Sequence, residues 1–239
     1  MEIKTRAIVL RTVKFGDDKL IVDFLTREEG RQSVVWKVSR GRNAKIHRQL
    51  FQPLSILDIV LERSPRQQLS QLREARLACV YTNIPFVSAK LSLAFFVAEF
   101  LCYATRDLHS DSDLYDFVEQ SLLWLDAADK GIANFHLMFM MRMSRFLGFF
   151  PDLESHHRGF VFDLREGRFS GSVPLHTDFL SPDDAEKMHL LMRMSPSNLH
   201  LYIFTRAERN RIIDLALQFY RIHIPQFGNM KTLDVLRAL

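Results

Sequence analysis

The sequence predicts an α+β chain in several parts: a five-stranded β-barrel at the N-terminus, an all-helical body, and a small module inserted in that body. Three observations predict it. Over the first 80 residues, apolar side chains alternate with the period of two that a half-buried strand requires. After about residue 76 the period becomes that of helices. Between Phe149 and Thr177 both patterns fail, in a stretch holding Pro151, Gly159, Gly167, Gly171 and Pro174. The 239 residues are 47% apolar, ample for packed cores. A disordered chain would need low hydrophobicity and high net charge.

The barrel strands come first. Glu2 to Thr12 is extended, with Ile3, Ala7 and Val9 on one face. Gly16-Asp17-Asp18 is a turn. Lys19 to Thr26 follows, with Leu20, Val22 and Phe24 alternating against Asp23. After the turn Glu28-Glu29-Gly30, Gln32 to Val38 puts Val34, Trp36 and Val38 on one face. A polar segment, Ser39 to Arg48, interrupts. Leu54 to Glu62 alternates again, with Leu57, Ile59 and Leu61 opposing Ile56, Asp58 and Val60, and Leu69 to Glu74 can supply a fifth strand. Five short strands in about 75 residues fit a small barrel of the OB-fold type.

Helices follow. Ser88 to Leu108 is apolar around most of its circumference and reads as deeply buried. Asp113 to Ala128 is amphipathic, with N-cap chemistry at Asp111, Ser112 and Asp113. Asn134 to Leu147 ends at Gly148. Within Phe149 to Thr177, Phe160-Val161-Phe162 and Arg168-Phe169-Ser170 flank Glu166-Gly167 and suggest a hairpin. Ser181-Pro182-Asp183-Asp184 opens a helix with Ser at the cap, Pro at the first position and acids in the first turn. Thr205-Arg206-Ala207-Glu208 is a capping box for a helix running to about His223. The division is then 1–80 barrel, 81–148 helical, 149–178 inserted module, and 179–239 helical.

Charge is uneven. Residues 1–80 hold 16 basic and 9 acidic side chains, whereas residues 81–239 hold 16 and 19. A net of +7 on the first third, against −3 on the rest, points to a polyanion partner for the barrel. From Gly30 to Leu57 there is no acid, while Arg31, Lys37, Arg40, Arg42, Lys45 and Arg48 are all present. Flexible cations on a barrel loop can follow a phosphate backbone through contacts that ignore sequence. Trp36 adjoins this loop and could stack on a base, but Val34 and Val38 share its face, which favours a core position.

Other features exclude more than they assign. No stretch approaches the roughly 18 apolar residues of a membrane span, and Met1 to Arg6 has no apolar signal core. Cys79 and Cys102 are the only cysteines, too few for a disulfide framework or a four-cysteine zinc site. A cytoplasmic home is expected. His156 and His157 are adjacent and read as loop histidines. His47, His136, His176, His189, His200 and His223 show no ligand spacing, so no metal and no cofactor is expected. Phosphate-binding loops, dinucleotide fingerprints, nucleophile elbows and paired metal-binding histidines on a helix are missing, which favours a binding protein over an enzyme. Phe135 to Gly148 is rich in Met and Phe, with Arg142 and Arg145 on one helix face. It reads mainly as core, with the two arginines as candidate contacts to an acidic-hydrophobic peptide.

Together these pieces resemble the RecO family of bacterial recombination mediators. The resemblance lies in Ala7-Ile8-Val9-Leu10-Arg11, Asp18-Lys19-Leu20-Ile21-Val22 and Leu25-Thr26-Arg27-Glu28-Glu29-Gly30. It continues in the Arg40-Gly41-Arg42 loop, in Leu50 to Leu57 with Gln52-Pro53-Leu54, and in Phe146-Leu147-Gly148-Phe149-Phe150-Pro151-Asp152-Leu153. Tyr220 to His223 and Lys231-Thr232-Leu233-Asp234-Val235-Leu236 complete it. The resemblance implies an OB-fold, binding of single- and double-stranded DNA, and annealing of complementary strands. It implies contacts with RecR and with the acidic tail of single-stranded DNA-binding protein, so that RecA can load, and a place at the nucleoid. One departure is plain. Many members carry two Cys-x-x-Cys pairs after the Leu-Gly run, forming a zinc module, but Glu154 to Ser172 contains no cysteine. Zinc is therefore expected to be absent. Phe160, Phe162 and Phe169, or hairpin bonding, would have to hold the module. Two rivals remain: an adaptor whose barrel binds protein only, and a nuclease.

Overall fold

A computed structural model describes residues 2–37, 48–62, 69–106 and 108–237. They fall into two compact units, Met1–Ala127 with Met230–Thr232, and Ala128–Asn229 with Leu233–Leu239.

The first unit contains β1 (Glu2–Phe15), β2 (Lys19–Thr26), β3 (Gly30–Lys37), β4 (Ile56–Glu62) and β5 (Ser70–Leu77). They close into a barrel in the order β1-β2-β3-β5-β4, as an OB-fold does. β1 is long because it serves two neighbours. Its first half pairs with β4 (Ile3 opposite Leu61) and its second half with β2 (Val13 opposite Ile21). A register shift between Val9 and Arg11 bends it from one to the other. The expected faces hold among the described residues, outside which Val38 lies. Ala7, Val9, Val22, Phe24, Val34, Leu57, Ile59 and Leu61 line the interior with Trp36. Phe51, from a short 3-10 turn over Arg48–Phe51, lies 4.9 Å from Trp36 between ring centroids, and Thr12 Oγ1 donates to its carbonyl at 3.0 Å. Trp36 is therefore core.

The outer side of β1 is buried only at its middle. Ile8, with its register neighbours Leu25 and Ile56, lies under α1 (Ser88–Ala104). α2 (Ser112–Ala127) follows, and Arg27 grips Asp116 with two prongs, Nε to Oδ1 at 2.8 Å and Nη2 to Oδ2 at 2.9 Å. Arg6 reaches Glu119 at 3.1 Å. At Gly30, with φ at +64°, a Cβ would come within 2.8 Å of the His109 carbonyl carbon, so only glycine lets the β2–β3 turn approach that segment. These ties place α1 and α2 in one unit with the barrel, whereas the change of period divides the chain near residue 80.

The second unit holds α3 (Phe135–Phe146), α4 (Pro182–Arg193), α5 (Arg206–His223) and the short α6 (Leu233–Arg237). Ser181 caps α4, and the Thr205–Glu208 capping box opens α5. The inserted module is a three-stranded sheet in the order β7 (Arg168–Ser170), β6 (Val161–Asp163), β8 (Phe179–Leu180). The hairpin is as expected; β8 is an addition, too short to show a period. Phe162 is fully buried, 4.9 Å from Phe169 and 5.9 Å from Phe219 between centroids. Phe160 also packs within the module, against His157 and over Gly171. No helix among the described residues is long and apolar enough to cross a membrane.

Candidate nucleic-acid interface

Strand register arranges one end of the barrel. Leu20 and Trp36 point inward, so Lys19 and Lys37, each one position away, point outward. Phe15 pairs with Lys19, and Lys19 with Lys37, so the three form a row across β1, β2 and β3. All three are exposed. The next outward row is Val13, Ile21 and Val35, with Val13 47% exposed. The result is a small apolar floor edged by two lysines. Such a face can seat a base on an aromatic ring while cations hold its phosphates. Asp18 lies 3.4 Å from Lys37 and offsets part of the charge.

The six expected phosphate contacts separate. Lys37 ends β3 in this row, with its side chain 74% exposed. Arg48 is exposed at the start of the Phe51 turn, so the two bracket segment 38–47. Arg40, Arg42 and Lys45 lie outside the described residues. Arg31 is placed differently. Its side chain is only 12% exposed; Nη1 donates to the Cys102 carbonyl at 2.6 Å, and Nη2 reaches Asp23 at 3.1 Å. It ties the barrel to α1 rather than facing solvent.

Asp23 explains that tie. It is 2% exposed and accepts from Arg11 Nε at 2.6 Å, from Arg31 and from the Ser33 hydroxyl. Burial pushes its carboxyl up, but Ser33, Arg11 and Arg31 outweigh burial and hold it below the usual carboxylate range. Position 23 continues the outward parity of Lys19 and Ile21, yet here the barrel surface is covered and the charge is matched internally.

Sequence reasoning missed Phe15 and Lys19. The signal was the alternation Thr12-Val13-Lys14-Phe15, which carries β1 three residues past its expected end. Trp36 drew attention because it is large and beside the basic segment, but Phe15, 53% exposed, is the aromatic that this row offers.

In the second unit, α3 is core as expected: Met138, Phe139, Met140, Met141 and Met143 are at most 1% exposed. Arg142 is half-buried and donates from Nε to the Met194 carbonyl at 3.0 Å; burial and Arg145 push its pKa down. Arg145 is exposed, with its guanidinium 4.0 Å from the centre of the Phe150 ring. Of the two adjacent histidines read as loop residues, His156 meets Glu186 and His189 of α4.

A family model described as Recombination protein O N terminal matches residues 1–81, and one described as Recombination protein O C terminal matches residues 88–232. A DNA repair protein RecO of Phocaeicola vulgatus is 40% identical over 236 residues, covering 99% of this chain and 98% of the relative. One from Bacteroides fragilis is 38% identical over 237 residues, with the same coverage of each chain. One from Porphyromonas gingivalis is 35% identical over 245 residues, covering 100% of this chain and 99% of the relative.

Proposed function

The chain belongs to the Recombination protein O family of DNA repair proteins, and from that premise we propose that it binds single- and double-stranded DNA and anneals complementary strands. The observation that carries this reading is the row Phe15, Lys19 and Lys37, adjoining a segment from Gly30 to Leu57 that has six cations and no acid. Lys37, Arg48 and, from segment 38–47, Arg40, Arg42 and Lys45 neutralise phosphates on two strands. Repulsion between the strands falls, and bases find their partners. Arg31 is left out of this set, because its guanidinium is engaged with Asp23 and the Cys102 carbonyl. Binding alone does the work, so no catalytic group is assigned.

The partners in this reading are RecR and the acidic tail of single-stranded DNA-binding protein, displaced so that RecA can load. Arg145 supports contact with an acidic tail, because its charge is exposed beside an aromatic ring. Arg142 contributes less, since its guanidinium is already engaged. The residues present do not fit a four-cysteine zinc site: Cys79 and Cys102 belong to the barrel unit, and Glu154 to Ser172 holds none. The protein works in the cytoplasm, at the nucleoid.

The test is annealing of two complementary labelled oligonucleotides. The protein is expected to accelerate duplex formation while both strands keep their length. Metal-dependent shortening of the strands would instead mark a nuclease. No acceleration, with no binding at low salt, would leave a protein-interaction adaptor.

A further inference from the structure

The inserted module meets α4 through a cluster that DNA binding does not use. Glu186 and His189 are three residues apart on α4 and so share a helix face. His156 comes from the loop after Pro151. That loop is pinned by Asp152, whose amide donates to the Gly167 carbonyl at 2.8 Å, and by Ser155, whose hydroxyl accepts from the Phe169 amide at 2.9 Å. The His156 ring stands edge-on to Phe169, with centroids 4.8 Å apart at 85°. His156 Nε2 lies 3.0 Å from Glu186 Oε1. One ligand atom from each of the three residues falls within 4.8 Å of the others.

We propose that His156, Glu186 and His189 bind one divalent transition-metal ion of the zinc class, which fastens the module to α4. Two imidazole nitrogens and one carboxylate are donors for zinc and its neighbours, whereas calcium and magnesium prefer all-oxygen sites. Tetrahedral bonds of about 2.0–2.1 Å set ligand atoms roughly 3.4 Å apart, so the cluster must close by at most roughly 1.5 Å. The fourth position is left to water. Two of the ligands come from α4, outside the 149–178 module, so the site is not a relocated four-cysteine finger.

The arrangement shows what binding must change. The His156 and His189 rings are stacked, with centroids 3.7 Å apart and planes 5° from parallel. A metal lies in the plane of each imidazole that binds it, so one ring must turn out of the stack. Glu186, with its side chain 43% exposed, lies at the open side of the cluster. The alternative role for the same contacts is an ion pair between His156 and Glu186 with a ring stack beside it.

The test uses the full-length chain, stripped of metal with a chelator and titrated with zinc against a chromophoric competitor, with cobalt as a visible-absorption probe. Wild type is expected to bind one equivalent and to melt higher with zinc but not with magnesium. Glu186→Gln and His189→Ala are expected to lose at least tenfold in zinc affinity, and His157→Ala to keep it. Glu186→Gln retains a hydrogen-bonding group at a half-buried helix position, so it reports on the site even if His189→Ala unfolds. Failure of wild type to bind zinc more tightly than Glu186→Gln, or equal loss in His157→Ala, would overturn the proposal and leave the ion pair. DNA binding by the barrel enters neither outcome.

Discussion

Lys19 and Lys37 stand directly opposite each other on β2 and β3, both exposed at the end of the barrel where the acid-free segment continues. Like charges placed so are mildly destabilising, and they raise the local positive potential. Replacing both by Ala is expected to change stability by no more than about 0.5 kcal/mol. The same double substitution should lower the salt slope of binding by about 1.4 for single strands and about 1.8 for duplex. Fluorescence anisotropy across a salt series, beside a denaturant melt, checks both halves.

Phe15 and Trp36 should separate binding from folding. Phe15→Ala removes an exposed ring, so stability is expected to stay within about 0.5 kcal/mol. Single-strand affinity should fall by about 1–3 kcal/mol if a base stacks there. Trp36→Ala hollows the barrel core against Phe51 and is expected to cost about 3–5 kcal/mol in unfolding free energy. Equilibrium urea unfolding and oligonucleotide binding on both variants distinguish the roles.

Arg31→Ala should behave as a structural change. It leaves buried Asp23 with Arg11 and Ser33 but without Nη2, and frees the Cys102 carbonyl. A loss of about 2–4 kcal/mol is expected, with the salt slope of DNA binding unchanged. The Asp23 carboxyl is held below its ordinary range in the fold. Its contribution is therefore present above about pH 4, the unfolded value, and is lost as pH falls through the folded one. Asp23→Asn should lose stability at neutral pH and show a flatter acid limb.

His136 gives a pH signature in the second unit. Burial, with the Arg209 charge behind it, pushes its pKa down to about 3. Below about pH 6.5 the unfolded chain takes up a proton that the folded chain refuses. The stability this residue permits is thus full above that pH and falls as pH drops towards 3, by up to about 1.4 kcal/mol per unit. Between pH 7 and pH 5, wild type is expected to lose about 2 kcal/mol more than His136→Gln. Chemical denaturation at the two pH values measures the difference.

What the sequence made legible follows from which forces are local. Strand alternation exposed the barrel because every strand turns one face into the barrel interior, and the capping residues Ser181 and Thr205 marked helix starts without help from tertiary structure. Three things depended on distant partners. Arg31 was indistinguishable from its basic neighbours until Asp23 and the Cys102 carbonyl came within reach. Phe15 and Lys19 gained meaning only from the register that aligns them with Lys37. His189 sits 33 positions from His156, and no spacing rule joins a loop residue to a helix residue across a folded module. β8, two residues long, was beyond any periodicity.

The most direct test of the central claim is anisotropy binding of single-stranded DNA over a salt series, wild type against a Lys37, Arg40, Arg42 and Lys45 to Ala variant. Wild type is expected to bind with a steep dependence on salt, and the variant to lose about 2.8 from the slope, or about 0.7 for each phosphate contact removed. Wild type that fails to bind at low salt, or a variant whose slope is unchanged, would contradict the account.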